Sequence, residues 1–133
     1  MNKLLLDTSV LIDHLRKHRP STEFLKTVHK NEITAVISTI TEMELYAGKS
    51  MQDPAKEAAA LKLLELFDTV AVTSSIARQA GALLRQYRQH GLTPIDAIIA
   101  GTAIEEEATL VTRNIRHFRM IEGILIFDLP TDY

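Results

Sequence analysis

Short apolar runs alternate with stretches of helical periodicity along this sequence, and few folds accommodate that alternation. The first run, Leu4-Leu5-Leu6, is continuous, as in a strand buried on both faces. It stops at Asp7. Thr8 and Ser9 follow, and helical spacing from Val10 predicts a helix over residues 9–17. Further strands are expected at residues 32–38, 70–72, 108–112 and 124–127, the last at a sheet edge. Strands alternating with helices argue an α/β fold whose parallel sheet is covered on both faces.

Helix boundaries follow from the punctuation. Arg16-Lys17-His18-Arg19 closes the first helix with positive charge, Pro20 stops it, and Ser21 or Thr22 begins a second helix through His29. A third covers residues 39–48 and ends at Gly48. Pro54 opens a fourth over residues 55–67, with Ala60, Leu61, Leu64 and Phe67 on one face. Ser74 or Ser75 caps a fifth, which Gly91 ends, and Thr93-Pro94 opens an apolar sixth that runs out into Glu105-Glu106-Glu107. Gly123 is a turn, and residues 130–133 are expected to be weakly ordered.

A chain of 133 residues with 46% hydrophobic content is expected to form one domain over residues 1–133 with a real core. The absence of cysteine excludes disulfides, thiolate chemistry and Cys-ligated zinc, and is compatible with a reducing cytoplasm. Asp7 breaks the apolar run too early for a signal peptide. No apolar stretch approaches the roughly 18 residues that would span a bilayer, so no membrane partner is expected. A net charge of −2 excludes a bulk basic nucleic-acid binder. A polyanion would have to be held by metal ions or by local patches. Arg16–Arg19 and the pair Arg85 and Arg88 are two such patches, each equally readable as solvated surface.

Four residues stand where chemistry is built. Asp7 follows the first strand, at the edge where open α/β sheets form their sites; it also suits a helix N-cap, although Thr8 and Ser9 could cap as well. On the third helix, at about 100° per residue, Glu44 falls between Ile40 and Ala47 on the apolar stripe. Glu42 falls opposite and completes a Thr39-x-x-Glu capping box. A carboxylate on a core-facing stripe is costly unless paired, so Glu44 is the better functional candidate, with a cap in Thr41-x-x-Glu as the plain alternative. Asp96 complements the dipole of the sixth helix, yet it heads the inward row of Ile99, Ala100 and Ala103. Asn114 lies just past the fourth strand and can offer its amide oxygen to a hard cation, or serve a turn. Gathered carboxylates raise each other's pKa. Oxygen ligands without cysteine favour Mg²⁺ or Mn²⁺ to relieve them.

"LLLDTSVLIDHL", "ISTITEMELYAG", "LTPIDAIIAGTAI" and "LVTRNIRHF" together resemble the four motifs of the PIN domain, and more closely those of the VapC-like ribonuclease toxins of type II toxin–antitoxin pairs. Each motif alone is weak; four in order across the chain are specific. The resemblance registers Glu44 rather than Glu42, and places Asp7, Asp96, Thr112 and Asn114 on motif positions. It implies a PIN-like fold: a central, mostly parallel twisted sheet of four to five strands with helices on both faces. It also implies a cytoplasmic endoribonuclease in which Asp7, Glu44 and Asp96 hold Mg²⁺ (Mn²⁺ as substitute) with help from Asn114, so that an activated water attacks an RNA phosphodiester. Thr8 and Ser9 would orient ligands or contact phosphate, and Arg113, Arg116 and His117 would hold the RNA backbone. A homodimer, a cognate VapB-like antitoxin seated between residues 21–29 and 55–67, and DNA contacted only through that antitoxin are implied as well. Asn114 and His117 stand where acids are common in the family, which favours a single metal ion. They also keep open a catalytically weak or inactive RNA- or protein-binding module. A phosphoacceptor receiver-like domain, which would want adjacent acids after the first strand and a late lysine, fits poorly.

Overall fold

The computed structural model describes residues 3–129. The centre is β1 (Lys3–Leu6), flanked by β2 (Ala35–Ser38) and β4 (Ala108–Thr112), with β3 (Asp68–Val70) and β5 (Ile126–Asp128) at the edges. Every neighbouring pair is parallel, in the order β3-β2-β1-β4-β5. Leu5 stands opposite Val36 on one side and Leu110 on the other.

Alternate residues of the central strands feed two separate cores. Leu5, Val36 and Leu110 pack with α5 (Ser74–Tyr87) and α6 (Pro94–Glu105). Leu6, Ile37 and Val111 pack with α1 (Thr8–Leu15), α2 (Arg19–Lys30) and α4 (Pro54–Leu64). Leu5 and Leu6 are both fully buried, which is why the opening run carries no polar residue. Burying each such side chain contributes about 1.5–3 kcal/mol. The expected sheet with helices on both faces is therefore present, and the short α3 (Thr39–Tyr46) follows β2 directly.

Several expected boundaries move. Pro20 does not stop a helix but sits in the first turn of α2, where its missing N–H costs nothing. The His18 ring caps that turn by accepting the Ser21 N–H. The first helix ends at Leu15 because Lys17 turns left-handed, at φ 66°. The N-cap of α3 is Ser38, which accepts the Ile40 N–H, so the Thr39-x-x-Glu42 capping box is not formed; Thr39 Oγ1 accepts from Val72 N instead. Likewise Thr73, not Ser74 or Ser75, caps α5. β3 starts at Asp68 because residues 68–70 pair with Val36, Ile37 and Ser38. β5 is shifted by the pairing of Leu110 with Ile126. α4 buries Ala60, Leu63 and Leu64 and leaves Leu61 and Leu66 exposed at 42% and 62%. The expected face extrapolated helical spacing to Phe67, past the point where the helix ends. As expected, Thr93 caps α6, Pro94 opens it, and Gly91 and Gly123 turn the chain at positive φ. The expectation for residues 130–133 lies outside the described residues. Among those described, no helix is long and apolar enough to cross a membrane.

Because all strands run one way, β1, β2 and β4 end at the same edge. The chain winds from β1 through β2 to β3 and then crosses back to β4, on the other side of β1. That reversal opens a crevice between the ends of β1 and β4, the place where such sheets hold ligands. Asp7 to Ser9 and Thr112 to Asn114 are the residues that line up there.

Candidate active site

Asp7 occupies the N-cap position of α1 but makes no side-chain cap bond. Its carboxylate turns to the crevice instead. Ser9 Oγ donates to Asp7 Oδ2 at 2.9 Å and Thr112 Oγ1 donates to the same oxygen at 2.8 Å. The backbone is pinned too, with Asp7 N–H donating to Val111 O at 2.9 Å. Asp7 is only 6% exposed. Burial pushes its pKa above the ordinary carboxylate range, the negative charge of Asp96 pushes the same way, and the Thr112 and Ser9 hydroxyls pull partly back.

Glu44 reaches the same centre from α3. The Thr8 hydroxyl donates to Glu44 Oε1 and is itself hydrogen-bonded to the buried Thr41 hydroxyl at 2.9 Å. Glu44 is half-buried, and its pKa is raised by desolvation first and then by the charges of Asp7 and Asp96, with the Thr8 bond opposing. Among the described residues Glu42, on the same helix, makes no side-chain hydrogen bond or ion pair. Of the two glutamates, Glu44 is the one that the Thr8 hydroxyl reaches.

Asp96 stands in the first turn of α6, where its N–H donates to the Thr93 cap at 3.3 Å. Its Oδ2 lies 3.1 Å from His117 Nδ1, with side chains 17% and 55% exposed respectively. Asp7, Glu44 and Asp96, far apart in sequence, therefore sense each other's charge at one edge of the sheet.

The fourth motif is anchored through Thr112, whose hydroxyl donates to Asp7 and accepts the Asn114 N–H at 2.9 Å. Asn114 is exposed, and its recorded bond here is through its backbone. Arg113 is tied inward: its guanidinium pairs with Asp13 and its N–H donates to Ser9 Oγ at 3.2 Å. Arg116 is exposed at the rim. Sequence reasoning missed Asp13 as the partner of Arg113, and no local signal joins residues a hundred positions apart. It saw Thr41 only as a possible cap, although the spacing to Glu44 was visible.

The geometry defines a class: an α/β protein with three mutually repelling acids at the switch point of a parallel sheet. Residues 4–123 match the family described as PIN domain. The chain is 36% identical over 125 residues to Ribonuclease VapC19 of Mycobacterium tuberculosis, covering 90% of this chain and 95% of that protein. It is 35% identical over 123 residues to Ribonuclease VapC10 of the same organism, covering 91% and 90%. In structure it resembles VapBC2 of Rickettsia felis, solved bound to a DNA fragment from their promoter, with a TM-score of 0.83 and 28% identity over 96% of this chain and 98% of that one. The chain belongs to the PIN domain family and, within it, to the VapC ribonucleases.

Proposed function

We propose that this chain is a Mg²⁺-dependent endoribonuclease and the toxin of a type II toxin–antitoxin pair, hydrolysing phosphodiester bonds in RNA to arrest translation and growth. The observation that carries the reading is the gathering of Asp7, Glu44 and Asp96 at the crevice, with Asp7 held by Ser9 and Thr112 and Glu44 by Thr8; burial raises the pKa of both held acids, Asp96 raises that of Asp7, and Asp7 and Asp96 raise that of Glu44. Acids arranged so are relieved by a divalent cation. The donors are all oxygen in a chain without cysteine, which fits Mg²⁺, with Mn²⁺ as substitute. Among the described residues no three of Asp, Glu or His form a closed metal cage. Mg²⁺ needs none, since it keeps several waters and takes only one or two carboxylates directly.

Asp7, Glu44 and Asp96 would hold the ion, with the Asn114 amide beside them. When bound, such an ion lowers the pKa of a coordinated water and stabilises charge developing on the attacked phosphate. The chain's own residues do the positioning. Ser9 and Thr112 fix the Asp7 carboxylate, Thr8 fixes Glu44, and His117 holds Asp96. Arg113 braces the end of β4 against α1 through Asp13, and Arg116 lies exposed where an RNA backbone would approach.

The names of the VapC relatives support RNA as the substrate, and the solved VapBC complex supports an antitoxin as partner. A cavity of about 710 Å³ between α2 and the end of α4, lined by Leu25, Val28, Leu63, Leu66 and Phe67, offers the antitoxin an apolar groove. The toxin would act as a homodimer in the cytoplasm and meet DNA only through its antitoxin.

The test is cleavage of total bacterial RNA by the antitoxin-free chain, with Mg²⁺, with EDTA, and with Asp7→Asn. Discrete fragments that need both Mg²⁺ and Asp7 are expected. No cleavage by the Mg²⁺-loaded wild type across several RNA pools would overturn the nuclease reading in favour of an inactive binding module.

A further inference from the structure

A second cavity, of about 730 Å³, opens beside Glu44, and its lining is one-sided in charge. Arg16 and Lys17 at the end of α1, Lys49 in the 3-10 turn Lys49–Gln52, and Lys56 on α4 face it, against the single carboxylate of Glu44. The four cations are exposed, and none pairs with a carboxylate among the described residues. Four unpaired cations around one cavity are a local concentration in a chain of net charge −2. Arg16 and Lys17 have an ordinary explanation, since cations suit a helix C-terminus. Lys56 does not. It stands in the first turn of α4, right after Pro54 and Ala55, where a cation opposes the helix dipole. An anion entering between the four would be attracted to all of them at once. The lining also includes the apolar side chains of Ile12, Leu15 and Met51.

We propose that this cavity is the track by which RNA enters the acidic centre, with backbone phosphates on Arg16, Lys17, Lys49 and Lys56. The inference rests on the nuclease reading and deepens it: it names the cations that carry the RNA backbone and a direction of approach, from the α1–α4 side past Glu44. The exposed basic pair Arg85 and Arg88 belongs to α5 and the turn after it, on the opposite face of the sheet. It borders neither cavity.

The test measures binding of a fluorescein-labelled, mixed-sequence RNA of roughly 12 nucleotides to the full chain carrying Asp7→Asn, in Mg²⁺, across a salt series. Removing three of the cations with Lys17→Gly, Lys49→Gln and Lys56→Gln is expected to flatten the slope of log affinity against log salt by about 2, because each single-strand phosphate contact contributes about 0.7. The charge-matched triple Arg78→Gln, Arg85→Gln and Arg88→Gln is expected to leave the slope unchanged. Lys17→Gly keeps the fold testable, since glycine takes the left-handed conformation at that position without strain. An unchanged slope in the cavity triple, with its thermal melt intact, would overturn the proposal. So would unchanged RNA binding joined to weakened antitoxin binding, which would assign the cavity to the protein partner. In the Asp7 background, the cavity triple restored to wild-type Asp7 should also cleave more slowly at moderate salt. Cleavage by that enzyme at the wild-type rate would sink the track and spare the nuclease reading, whereas no cleavage by wild type itself would sink the latter.

Discussion

The hydroxyl of Thr112 donates to Asp7 Oδ2 at 2.8 Å, a buried bond between residues 105 positions apart. Thr112 Oγ1 in turn accepts the Asn114 N–H, so one side chain holds the end of β4 against the acid that ends β1. Thr112→Val keeps the shape and removes both bonds. Stability is expected to fall by about 1–3 kcal/mol, the cost of leaving buried polar groups without partners. Thr112→Ser should recover most of the loss in urea denaturation. Because the hydroxyl lowers the Asp7 pKa, the valine variant should also need higher pH for half-maximal RNA cleavage.

Asp7 itself opposes the fold at neutral pH. Its folded pKa lies above its unfolded value, so the folded state holds the proton more tightly. Stability is then highest below the ordinary carboxylate pKa and declines as pH rises from there through the raised value. Asp7→Asn removes that liability. The variant is expected to melt above wild type at pH 7, with the difference shrinking as pH falls through the raised value and nearly gone below about 4, while RNA cleavage is abolished. Melts of both proteins across that range check the sign; a variant less stable than wild type at pH 7 would contradict it.

Mg²⁺ should stabilise the wild type by linkage. At a concentration a hundredfold above its dissociation constant the gain is about 2.7 kcal/mol, visible as a saturable rise in melting temperature. Asp7→Asn should show little of that rise, and Ca²⁺ or Mn²⁺ titrations would report how selective the donors are.

Glu44→Gln and Glu42→Gln form a matched pair on one helix. The first removes a charge that the Thr8 hydroxyl fixes and that Asp7 and Asp96 sense; the second removes one with no such partners. RNA cleavage is expected to collapse in the first and to persist near wild type in the second. Thr8→Val, which frees Glu44 without removing it, should cost 10- to 100-fold, about the range for residues that orient metal ligands.

Gly101 sets how closely α6 approaches α5. A Cβ there would lie 3.2 Å from Ala80 N and 3.3 Å from Ile76 O, both backbone atoms that cannot swing aside. Gly101→Val should therefore destabilise by about 1–3 kcal/mol through overpacking, read by urea denaturation. The α5–α6 pair covers one whole face of the sheet, so a cooperative loss is expected instead of local fraying.

The sequence by itself determined the α/β class, because a solid run such as Leu4-Leu5-Leu6 is stable only between two apolar layers. It also distinguished Glu44, the glutamate that meets Thr8, from Glu42, since helical spacing fixes which side of a helix a residue takes. The caps at Thr93 and the turns at Gly91 and Gly123 were legible for the same local reason: backbone conformation there is set within a few residues. Tertiary structure decided the rest. Pro20 could stop one helix or open the next, and only the His18 cap resolved it. The start of β3 was fixed by pairing with β2, and the buried face of α4 by where that helix ends against the second core. The ties of Thr112 to Asp7, Arg113 to Asp13 and His117 to Asp96 join distant segments. No local pattern encodes such ties, because they exist only once the parallel strands have brought their carboxyl ends to one edge.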